Sequence, residues 1–152
     1  MSTQRLFGAS VLAASLAFTG CGMMPAGMGG SSAAASAGVT SALTPAQEVP
    51  PTTSAGSGRV MTTLDKSTRT LRWSVTYSGL TGPVSAGHFH GPAAAGANAG
   101  VVLPFTGTAS PIEGSAMLTE AQMADFVAGK WYANLHTAAN PGGEIRGQVI
   151  GH

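Results

Sequence analysis

The sequence predicts an all-β domain, a Greek-key-like antiparallel β-sandwich or flattened barrel with one short helix at about residues 119–129. Three observations predict it. Short segments alternate apolar and polar residues with the period of two that a half-buried strand requires. Gly, Pro, Asn and Asp clusters interrupt these segments at short intervals, as turns do. Only one segment, opened by Thr119-Glu120-Ala121-Gln122, carries a helix start signal. Short strands joined by regular turns argue for two packed antiparallel layers.

The chain has 152 residues and divides into three parts. Residues 1–20 read as an export signal. Arg5 supplies a thin basic start, and Leu6 to Phe18 form an apolar, Ala-rich run too short to span a bilayer permanently. Thr19 and Gly20 then precede Cys21, the only cysteine. That arrangement resembles a bacterial lipoprotein signal, with Cys21 as the lipidated residue and Phe18 standing where Leu is common. Gly22 follows it in place of the Asp that would retain a lipoprotein in the inner membrane. The resemblance therefore implies export to the cell envelope and, in a cell with an outer membrane, an anchor there through Cys21; the alternative is a plain secretory peptide with an unrelated cysteine. Residues 21–41 are Gly, Ala, Ser and Met, a composition that cannot bury a core and reads as a flexible tether. Residues 42–152 form the expected folded domain.

Within that domain the first strand is expected over Ala42 to Val49, stopped by Pro50-Pro51. Gly56 to Leu64 follows, with Val60, Thr62 and Leu64 on one face. Asp65 to Arg69 makes the turn into Thr70–Ser78, where Leu71, Trp73, Val75 and Tyr77 alternate with Arg72, Ser74 and Thr76. A Gly-Pro turn at residues 82–83 leads into a strand over Val84 to His90. Gly91 to Gly100 is a Gly- and Ala-rich loop. Val101 to Phe105 is a short apolar strand in which Pro104 favours an edge or an end, and Ile112 to Met117 is another. In the helix, Thr119 and Gln122 form a capping box, Met123, Phe126 and Val127 share a face, and Gly129 stops it. A last hairpin pairs Trp131–His136 with Glu144–Ile150 across Asn140-Pro141-Gly142-Gly143. Trp73 and Trp131 are expected in the core.

The chemistry-bearing residues are few. His88 and His90 lie two apart on one strand, so both side chains leave the same face. His136 arrives from a separate strand. Three convergent imidazoles hold a transition metal, and imidazole suits copper and zinc. Asn134 shares a face with His136 and could orient a histidine. Glu144 is a second candidate orienter, or a fourth ligand. The alternative is that the histidines only hydrogen-bond loop backbone. His152 ends the chain and is expected to play no part. Loss of Arg5 with the signal leaves acidic and basic residues equal in number, so no nucleic-acid partner is expected. No Gly-x-Ser-x-Gly elbow and no phosphate-binding Gly-rich loop is present.

Three stretches in order are recognisable together: Leu43-Thr44-Pro45-Ala46-Gln47-Glu48-Val49-Pro50-Pro51, His88-Phe89-His90-Gly91-Pro92-Ala93, and Asn134-Leu135-His136-Thr137 with Asn140-Pro141-Gly142-Gly143-Glu144-Ile145-Arg146-Gly147-Gln148. Over residues 43–149 they resemble the chordin-type (CHRD) domain, whose bacterial members are mostly exported proteins. A weaker resemblance is to copper/zinc superoxide dismutases, which also carry a His-x-His pair on one strand and a later His before a Gly-rich turn. That resemblance implies His88, His90 and His136 as copper ligands and Arg146 as an anion-guiding residue. The histidine that bridges copper and zinc in those enzymes, their zinc-binding loop and their disulfide cysteines have no counterpart here. Ligand count thus excludes a two-metal enzyme and leaves a mononuclear three-histidine site. Two uses follow from it, copper handling and superoxide dismutation. The alternative is a non-catalytic envelope interaction or structural module with no metal. Arg146 has a plainer reading as well, a surface pair with Glu144.

Overall fold

A computed structural model describes residues 38–151. The expected signal segment, Cys21 as the expected lipidation site, most of the expected tether and His152 lie outside the described residues. The domain is built from β1 (Val39–Leu43), β2 (Ser57–Asp65), β3 (Thr70–Ser78), β4 (Val84–His90), β5 (Val101–Pro104), β6 (Ile112–Met117), α1 (Glu120–Val127), β7 (Trp131–Thr137) and β8 (Ile145–Val149). Two four-stranded antiparallel sheets form, ordered β1-β2-β3-β6 and β5-β4-β7-β8. The chain crosses between sheets after β3, after β5 and after β6, which makes the sandwich and leaves no closed barrel.

The alternation read in the sequence sets the inner faces. Val60, Thr62 and Leu64 of β2 and Leu71, Trp73 and Val75 of β3 are buried. From the second sheet come Phe89, Trp131, Ala133, Leu135, Ile145 and Val149. Trp73 and Phe89 meet edge to face across the layers with ring centroids 5.4 Å apart, a favoured aromatic geometry. The helix has its capping box, with Gln122 N–H donating to Thr119 Oγ1 and Thr119 N–H to Gln122 Oε1. It buries Phe126 against Trp131 at 5.5 Å. Val127 is 37 % exposed, so the buried helical face is narrower than the pattern of apolar residues suggests.

The first strand departs from expectation. It runs over Val39–Leu43 rather than Ala42–Val49, and a 3-10 turn occupies Pro45–Gln47. Pro45 has no N–H to give to a ladder and a fixed φ suited to a helical first turn, so the strand ends before it. Thr44 still exchanges backbone hydrogen bonds with Arg146, at 2.8 and 3.1 Å. This bridge ties β1 of one sheet to β8 of the other. Gly147 permits it, because a Cβ there would overlap the Ala42 carbonyl. The segment after the turn, residues 48–56, is thereby laid across the second sheet.

Candidate metal centre

In the second sheet, residues that alternate with the core positions face outward: His88 and His90 on β4, Tyr132, Asn134 and His136 on β7, Arg146 and Gln148 on β8. The register sets Asn134 opposite His88 and Arg146, Tyr132 opposite His90 and Gln148, and His136 opposite Ala86. This outward face is not bare. His90 is only 9 % exposed, and Tyr132, Asn134 and Arg146 are buried. Loop 91–100 and the segment around Glu48 cover it, so this sheet has a second, polar core on its outer side.

The three predicted histidines come together. One ring nitrogen from each lies within 4.8 Å of the others. His88 Nδ1 stands 3.1 Å from His136 Nε2. The tautomers follow from fixed acceptors. His90 Nδ1 is 3.0 Å from the Ala99 carbonyl and His136 Nδ1 is 2.9 Å from the Pro141 carbonyl. A carbonyl only accepts, so each Nδ1 carries a proton, and in the neutral ring Nε2 keeps its lone pair. His90 Nε2 is buried with no hydrogen-bond partner among the described residues. An orphaned, buried lone pair beside two more imidazole nitrogens is what a cation needs, and the donor set fits a first-row transition metal. Burial lowers the pKa of His88, and the adjoining His136 and His90 lower it further. Burial also lowers that of His90, against the Ala99 carbonyl and the Asn134 amide and in concert with His136 and Arg146. Both rings are thus held neutral, as ligands must be.

Tyr132 lies flat against His90, centroids 4.8 Å apart and planes within 1°. Its hydroxyl meets both the N–H and the carbonyl of Ala99. The Arg146 guanidinium sits 3.4 Å over the Tyr132 ring. It donates to Asn98 Oδ1 at 2.8 Å and to the Ala97 carbonyl at 2.6 Å. Arg146 is 1 % exposed. The expected surface pair with Glu144 does not form. Arg146 instead braces the aromatic ring behind His90 and holds loop 91–100 in place, while its charge reaches His90 through the interior.

Glu144 is fully buried and serves neither as orienter nor as ligand. Its carboxylate accepts from Ser54 Oγ at 2.5 Å, from Thr137 Oγ1 at 2.5 Å, and from the N–H and hydroxyl of Thr81, each at 2.7 Å. Burial opposes its ionisation, but these hydrogen bonds prevail and hold its pKa down to about 2. A depressed carboxyl contributes stability that is present above the unfolded value of 4.5 and is lost as pH falls toward 2. Acid titration of stability should therefore steepen through that window, and Glu144→Gln should flatten it there. Urea midpoints measured from pH 2 to 6 check this.

Sequence reasoning passed over Tyr132, Glu48 and loop carbonyls 97 and 99. Tyr132 had a usable signal, since it lies two and four residues before Asn134 and His136 on the same strand face.

The CHRD domain family model matches residues 39–149, nearly all of the described chain. The chain belongs to the CHRD domain family. No curated protein and no solved structure is significantly similar to it. The matched span of the CHRD domain begins with β1 and ends with β8, so it contains both the core and the three-histidine cluster.

Proposed function

We propose that this CHRD domain binds a single copper ion through His88 Nδ1, His90 Nε2 and His136 Nε2, within an exported protein anchored to the envelope by lipidated Cys21. The observation that carries the reading is the buried His90 Nε2, which lacks a hydrogen-bond partner among the described residues, in a ring grouped with two further histidines that each offer a nitrogen within 4.8 Å. Copper is favoured over other divalent ions because it stands highest in intrinsic affinity for nitrogen sites. Such an ion, when bound, supplies one-electron chemistry by passing between two oxidation states. The chain's own part is to bring the three imidazoles together and to fix the Nδ1 protons of His90 and His136 on the Ala99 and Pro141 carbonyls, with the Tyr132 ring against His90. The Arg146 charge beneath them favours an approaching anion. Copper handling and superoxide dismutation both fit this arrangement.

Metal analysis of the chain purified from cell envelopes, followed by copper titration of the stripped protein, tests the reading. One copper per chain is expected, with His136→Ala reducing it to trace levels. Removal of superoxide by the loaded protein separates dismutation from handling. A chain that takes up no copper defeats the proposal and favours a metal-free interaction module.

A further inference from the structure

His136 Nε2 faces a second neighbour besides His88. Asn134 Oδ1 stands 3.0 Å from it. The Pro141 carbonyl accepts a hydrogen bond from the His136 proton on Nδ1; in the neutral ring Nε2 then offers a lone pair, and an amide oxygen offers nothing else. Two acceptors this close repel unless a proton or a metal ion lies between them. Turning the Asn134 amide over would relieve the contact, but the surroundings oppose it. Its Nδ2 points toward Glu48, a carboxylate only 5 % exposed whose Oε1 has no hydrogen-bond partner among the described residues. Nδ2 and Oε1 both crowd Gly143, at φ +127°, where a Cβ would overlap the two of them. A flipped amide would set its oxygen against that buried carboxylate.

We infer that Asn134 Oδ1 is the fourth ligand of the ion held by His88, His90 and His136, with Glu48 as the positioning residue that aims it. The inference rests on the three-histidine reading and adds the oxygen donor. Ligands about 2.0–2.1 Å from one ion and roughly 90–110° apart lie about 2.8–3.4 Å from each other. His88 Nδ1 at 3.1 Å and Asn134 Oδ1 at 3.0 Å both have that spacing from His136 Nε2. All four donors are neutral in this arrangement, so the ion keeps its full charge. Amide oxygens serve as weak extra ligands at copper sites built on stronger donors.

Copper(II)-loaded full chain, wild type and Asn134→Leu, compared by competition titration and electron paramagnetic resonance, tests this. Asn134→Leu should still bind one copper, about tenfold to a hundredfold more weakly. Its g and hyperfine values should shift, and in D2O a deuteron coupling should appear from the water that replaces the amide. An orienting asparagine would lower affinity without placing that water on the ion. Asn134→Asp gives a second reading should the leucine variant not fold: a carboxylate oxygen in the same place must change the spectrum. Wild-type binding with unchanged spectra in the variants overturns the fourth ligand and leaves the three histidines standing. Absence of copper binding in the wild type overturns both.

Discussion

Copper loading should raise the melting temperature of the chain by roughly 10 °C, and His90→Phe should abolish the rise. A ligand bound only by the native state at a hundred times its Kd adds about 2.7 kcal/mol. For a domain of this size each kcal/mol moves the midpoint by about 4 °C. Phenylalanine is the informative replacement. It keeps a flat ring against Tyr132, where the imidazole now stacks at 4.8 Å, and it removes the orphaned Nε2 together with the bond to Ala99. The metal-free variant should therefore stay within about 1 kcal/mol of wild type while losing its response to copper. Scanning calorimetry of stripped and loaded proteins measures both. A rise that survives in His90→Phe would put the ion elsewhere on the chain.

Arg146→Met should cost about 3 kcal/mol of folding stability, within a range of about 2–4. Methionine nearly matches the length and apolar stem of arginine, so the loss isolates the guanidinium. That group lies 3.4 Å over Tyr132 and gives hydrogen bonds to Asn98 and Ala97 in an almost fully buried setting. Two hydrogen bonds from a charged donor at about 1.5–3 kcal/mol each and a desolvated cation over an aromatic face at about 2 outweigh the several kcal/mol it costs to bury the guanidinium, and the net loss is the smaller figure. The Ala97 carbonyl and Asn98 amide would be left beneath loop 91–100 without their donor. Urea unfolding at neutral pH gives the number. A cost below about 1 kcal/mol would show that the loop is held by its other contacts and that the arginine is incidental to it.

The parts of this molecule that were legible in the sequence are those governed by local periodicity. Leu71, Trp73 and Val75 alternate cleanly, and β3 lies where they place it. His88 and His90 share a face for the same reason, and His136 follows from the hairpin that returns beside them. The helix start was written in Thr119 and Gln122. What local pattern could not carry is anything decided by the third dimension. Val39, Ser41 and Leu43 do alternate, but they sit against a low-complexity stretch. Their pairing with β2, rather than their composition, makes them a strand. Arg146 and Glu144 are two apart, as partners on a strand face would be, yet each is drawn to a different buried set. Those sets come from loop 91–100 and from residues 52–54 and 81, segments whose position depends on the crossing of the two sheets.

The loop from Gly91 to Gly100 shows how far amino-acid content and mechanical behaviour can diverge. Its glycines and alanines are those of a slack connector. Yet Ala97 and Ala99 meet Arg146, His90 and Tyr132 through their backbone, and Asn98 between them meets Arg146 through its side-chain oxygen. Fluctuation of this stretch would be fluctuation of the His90 imidazole. The rigidity of the donor cluster is therefore borrowed largely from the main chain of Ala97 and Ala99, with the Asn98 side chain as the one part of that support a substitution can remove.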